Sequence, residues 1–141
     1  MSDHLGREGG ELGEGGFTRS FLMYGFLLWL VATVAFRLFG QFVLIPGGGL
    51  LLFVVFVLTV PGIATLMYPL YASRGLGGRD RLLAAACVVL PGMVLDVFAL
   101  AFFGMVYPNL GPATAPYFGA FLLWAYALVL VTGLFPTRTS R

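Results

Sequence analysis

Two charged residues stand where charge is costly. Asp96 lies within Val94-Leu95-Asp96-Val97-Phe98 and Arg37 within Ala35-Phe36-Arg37-Leu38-Phe39, each inside a long apolar run. In hydrocarbon such a group costs about 2.5–3.5 kcal/mol on insertion scales, so each must face protein, water or a headgroup. A carboxyl there can pair with a cation, stay neutral within a hydrogen-bond network, or serve a proton or ion relay. Arg37 is the natural cation. Counted from Arg19 and Arg81, Arg37 lies roughly 27 Å and Asp96 roughly 22 Å along their helices, and an extended Arg side chain spans the difference. The expectation is an Arg37–Asp96 ion pair whose attraction offsets part of the cost of burying both groups. Against it stand two plainer readings. Arg37, close to Gly40 and Gln41, can snorkel into headgroups. Asp96 can remain neutral, hydrogen-bonded to Thr33 or Tyr126. The candidate intramembrane polar site is therefore Arg37, Asp96, Thr33 and Tyr126. Gly92, Asp96, Ala99 and Phe103 share one helical face with Ala85 below them, and small neighbours on that face allow close approach of another helix.

Two Pro-Gly steps, Pro61-Gly62 and Pro91-Gly92, are candidate kinks. Each proline frees the carbonyl four residues earlier, at Val57 and Cys87. Matched kinks can open a cavity, and free carbonyls can bind cations, although Pro and Gly are also common in membrane helices with no such role. Thr59 and Thr65 are expected to return their hydroxyls to their own helix backbone. Trp29 and Trp124 read as packing, and Cys87, after Ala84-Ala85-Ala86, as a small buried hydrophobe. The glycine-rich Arg74–Arg81 segment follows no strand, so it suits a turn facing anionic lipid better than a phosphate loop.

Much other chemistry is excluded by counting. One Cys and one His, Cys87 and His4, rule out an intrachain disulfide, a C-x-x-C pair, a thiolate cage and paired-His metal motifs. No metal or cofactor is expected. The net charge of +2 comes without a basic stripe, so no nucleic-acid partner is expected either.

The elements that position these residues follow from composition. Of 141 residues, 60% are hydrophobic and 10% charged, too few charges to clothe a water-facing surface. Four apolar segments, about 21–39, 50–71, 82–107 and 115–135, each approach the roughly 20 residues needed to cross a bilayer. Only helices satisfy their own backbone there, so the expected fold is an all-α four-helix transmembrane bundle. Residues 1–19 form a Gly/Glu-rich tail expected to be disordered, 20–136 the membrane domain and 137–141 a second tail. Arg19, the Arg74–Arg81 connection, Arg138 and Arg141 flank one side, while the other two connections carry no charge. By the positive-inside rule both termini are cytoplasmic. The echo of Phe26-Leu27-Leu28-Trp29 in Phe121-Leu122-Leu123-Trp124 is ascribed to biased composition.

Gly25-Phe26-Leu27-Leu28-Trp29-Leu30-Val31-Ala32-Thr33, Phe36-Arg37-Leu38-Phe39-Gly40-Gln41, Leu90-Pro91-Gly92-Met93-Val94-Leu95-Asp96, Tyr107-Pro108-Asn109-Leu110 and Phe121-Leu122-Leu123-Trp124-Ala125-Tyr126 together resemble a family of uncharacterised small bacterial four-helix membrane proteins, a domain of unknown function. The resemblance runs from about Ser20 to Leu134 and implies no activity and no site residue. The residues themselves point to a non-enzymatic multi-pass protein of the bacterial inner membrane. Its expected role is accessory or structural, with the Arg37–Asp96 pair as its internal tie. Membrane lipid and a second copy of the chain are the expected partners. The alternative is a small oligomeric transporter with Asp96 as the coupling carboxylate.

Overall fold

A computed structural model describes the backbone of residues 2–135 and the side chains of residues 15–135. The chain forms α1 (Ser2–Val43), α2 (Gly49–Ser73), α3 (Arg79–Ala101), the short α4 (Phe103–Val106), a 3-10 turn (Pro112–Thr114) and α5 (Ala115–Leu134). Four helical stretches are long and apolar enough to cross a membrane: Gly15–Val43, Gly49–Ser73, Arg79–Ala101 and Pro112–Leu134. The all-α four-helix architecture expected from composition is the one observed. The 137–141 tail, with Arg138 and Arg141, lies outside the described residues.

Two boundaries differ from expectation. The backbone is helical from Ser2, through the stretch that composition leaves unstructured. A membrane-anchored helix supplies its own nucleus, so extension needs no second nucleation. The third segment, expected to be one helix over 82–107, breaks at Phe102, whose φ of −110° and ψ of 41° are not helical. The break lets the rings of Phe103 and Tyr107 turn onto Phe118, at centroid distances of 6.0 and 4.7 Å. Those tertiary contacts outweigh local continuity.

Connections are set by backbone chemistry. At the end of α2, Gly75 takes φ +62°, a conformation costly for residues with a Cβ. There Gly75 N–H bonds Ala72 O and Leu76 N–H bonds Tyr71 O, the paired pattern of a Schellman cap.

α3 is the central helix. It packs on α1 along one side and on α5 along the other, α2 packs on α5, and α1 scarcely touches α2. Its role shows in burial, 39% of its most apolar window against 6% for α2. Close approach depends on small residues. A Cβ on Gly25 of α1 would fall 2.0 Å from Val88 O of α3. One on Gly133 of α5 would fall 3.0 Å from Leu82 Cα and from Ala85 Cβ. With neither helix offering a hydrophobic advantage over lipid, such contact is what holds membrane helices together.

Two buried clusters result. One, at the end bearing Arg74 and Arg81, gathers Phe21, Met67, Tyr71, Ala84, Ala85, Val88, Val89 and Val129. The other gathers Leu44, Ala99, Phe103, Tyr107, Leu110 and Phe118 at the opposite end. Asp96 lies between them.

Candidate functional site: the Asp96 network and its cavity

Asp96 is buried on α3, 5% exposed, on the face it shares with the buried Ala85, Gly92, Ala99 and Phe103. From α1, Trp29 Nε1–H donates to Asp96 Oδ1 at 2.8 Å. From α5, the Tyr126 hydroxyl donates to Oδ2 in a short hydrogen bond. One carboxyl thus ties three helices, and each oxygen has its own donor. Gly92, one turn before Asp96, makes room: a Cβ there would stand 2.8 Å from the Tyr126 hydroxyl oxygen.

The expected Arg37–Asp96 ion pair is not formed. Arg37 is exposed, and its guanidinium donates to Val106 O at 2.7 Å and, at the longer 3.5 Å, to Met105 O. These carbonyls end α4, where a helix has no backbone donors left for its last acceptors. The Phe102 break brings them within reach, and a cation bonded to carbonyls near a helix end keeps more hydration than one sunk to the level of Asp96. Of the plainer readings, Tyr126 is bonded to Asp96 as expected, and Thr33 is not. Thr33 lies on the same cavity wall, beside the Tyr107 hydroxyl.

Both tryptophans also differ from their reading as packing. Trp29 is a ligand of the carboxyl. Trp124 Nε1–H donates to Phe56 O at 2.9 Å and ties α5 to α2. An indole N–H kept from water, inside the bundle as for Trp29 or on its lipid-facing surface as for Trp124, needs an acceptor, and that need was the available signal. The period Gly25, Trp29, Thr33 on α1, with Gly25 against Val88, carries the indole toward Asp96 once the two helices are in register.

The prolines Pro61 and Pro91 sit inside helices that run on through them. Pro61 and Gly62 lie exposed, and of the four candidate kink residues only Gly92 reaches the interior cavity. Thr59 and Thr65 return their hydroxyls to Val55 O and Pro61 O, each at 2.7 Å, as expected.

Between the two buried clusters is a cavity of about 330 Å³. Its wall includes Asp96, Trp29, Thr33 and Tyr126, with Thr59 and Ile63 from α2. At the far end of the molecule, Asn109 Nδ2–H donates to Phe36 O at 3.0 Å and to Gln41, fastening the second connection to α1. Near the other end the Tyr71 and Thr132 hydroxyls bond at 2.9 Å, and Arg81 Nε–H donates to Leu76 O at 3.0 Å.

No curated protein and no solved structure matches this chain. A model described as a family of unknown function (DUF5367) matches residues 43–140. That stretch starts at the last residue of α1 and takes in Asp96 and Tyr126, with Trp29 outside it. Since the match spans well over half of a chain built from four candidate membrane helices, the protein belongs to this family of unknown function (DUF5367).

Proposed function

We propose that the protein is a non-enzymatic, multi-pass component of the cell membrane, accessory or structural in role. Its organising element is the Asp96 carboxyl. The observation that carries this reading is the double occupancy of that carboxyl, Trp29 on one oxygen and Tyr126 on the other. A group held from three helices is suited to fixing their register, since removing it strands buried donors. A catalytic centre is disfavoured because no His, Cys, Lys or second carboxyl accompanies Asp96 on the cavity wall. Large apolar side chains such as Val31, Phe53 and Leu123 face outward, at 67%, 66% and 70% exposure, which suits lipid or a second copy of the chain. The Arg-bearing side is assigned to the cytoplasm by the positive-inside rule, in an inner or plasma membrane.

The test is the thermal stability of the purified protein in mild detergent. Asp96→Leu should lower the melting temperature clearly, because Trp29 and Tyr126 lose their acceptor. An unchanged melting temperature would remove the organising role.

A second reading, a small oligomeric transporter with Asp96 as the coupling carboxylate, is favoured by one observation, the cavity against which Asp96 lies. Proteoliposomes loaded with a pH-sensitive dye test it. Proton flux that Asp96→Asn abolishes would support it; flux indifferent to that substitution would end it.

A further inference from the structure

The cavity beside Asp96 combines an acid with aromatic rings in a way that packing does not require. Six of its wall residues are aromatic: Trp29, Phe36, Tyr107, Phe118, Phe121 and Tyr126. Ring faces attract cations, and more strongly where water is excluded. When ionised, the carboxyl adds a formal negative charge to the same wall, and among the described residues no cation is bonded to it. Arg37 is engaged by the carbonyls of α4, and Arg81 by Leu76 O and the Tyr71 ring, 5.7 Å from its centroid. Two hydrogen bonds also leave lone-pair capacity on a carboxylate, which has about four acceptor sites.

The way in is set by the helix order. α1 and α2 scarcely touch, and Val31 of α1 and Leu66 of α2 are both cavity wall and outer surface, at 67% and 38% exposure. The seam between them opens sideways, toward the lipid that surrounds a spanning bundle. A ligand arriving by that path must partition into hydrocarbon, and an ordinary inorganic ion does not. A volume of about 330 Å³ holds a compact organic molecule.

We propose that this cavity binds a lipophilic monovalent cation, entering from the bilayer between α1 and α2 and seated against the aromatic wall beside Asp96. The proposal goes beyond the structural reading and requires no transport, so its failure leaves the organising role of Asp96 intact.

The experiment is equilibrium dialysis of radiolabelled tetraphenylphosphonium against the full-length protein in nonionic detergent, with tetraphenylborate as an anion of matching shape. Saturable uptake of the cation at about one per chain is expected, without saturable uptake of the anion. Asp96→Asn should weaken cation binding at least about tenfold. Ile63→Trp fills the cavity from the α2 wall without removing either donor to Asp96, and should weaken it similarly while circular dichroism shows the helices still formed. The proposal is overturned if cation and anion partition equally and without saturation, the behaviour of a cleft that holds only lipid chains. It is also overturned if cation binding survives both substitutions. Should Asp96→Asn fail to fold, undiminished binding by Ile63→Trp is sufficient to reject it.

Discussion

Trp29 and Asp96, on α1 and α3, are joined by an indole N–H donated to a buried carboxyl oxygen at 2.8 Å. Their helices cross where Gly25 meets the backbone of Val88, so the bond sits about one to two turns beyond the closest approach. The crossing lets the bond form, and the bond in turn fixes the rotation of α1 about its axis. With Tyr126 on the second oxygen, a single acid sets the relative positions of three helices.

The first prediction concerns those two donors. Trp29→Phe and Tyr126→Phe should each destabilise the bundle by about 1–3 kcal/mol, the cost of leaving a buried polar group under-satisfied. Their effects should not add, because both act through one carboxyl. Chemical denaturation in mixed micelles measures this, and strict additivity would show that the two bonds are independent.

Gly25 and Gly62 make a matched pair of opposites. A Cβ on Gly25 falls 2.0 Å from Val88 O, whereas one on Gly62 meets nothing within 4 Å. Gly25→Ala must force α1 and α3 apart and should cost several times more than any gain, about 2 kcal/mol or beyond. Gly62→Ala should be neutral or stabilising by up to about 1 kcal/mol through helix propensity. Melting temperatures of the two variants check the contrast; equal behaviour would mean that the α1–α3 crossing is not this tight.

Arg37 and Asp96 should behave as strangers in a double-mutant cycle. Since Arg37 bonds the carbonyls of Met105 and Val106, Arg37→Ala and Asp96→Ala should add to within about 0.5 kcal/mol. A coupling well above that would restore the ion pair that the charge pattern suggests. Arg37→Ala alone should loosen the connection after α4, seen as faster amide exchange around Tyr107.

Topology is testable without purification. Reporter enzymes fused at the C-terminus should be active only in their cytoplasmic form, and those inserted at Gly47-Gly48 only in their exported form. The reverse pattern would invert the assignment made from the arginines.

Residue chemistry on its own determined the number of spanning helices, the face of α3 that turns inward and the presence of a costly acid on it. Those features follow from one-dimensional rules: hydrocarbon thickness sets segment length, the 3.6-residue repeat sets which residues share a face, and charge sets what must be buried with help. The partner of that acid was decided only in three dimensions. Formal charge nominated Arg37, yet the break at Phe102 put unbonded carbonyls in its reach, and Trp29, an apolar letter in a hydropathy count, carried the N–H that Asp96 accepts. Helix order was likewise invisible along the chain, and it is the poor contact of α1 with α2 that leaves the cavity its lateral opening. Hydrogen bonding depends on distance and direction to a few tenths of an ångström, and sequence spacing fixes neither across two helices until their crossing point is known.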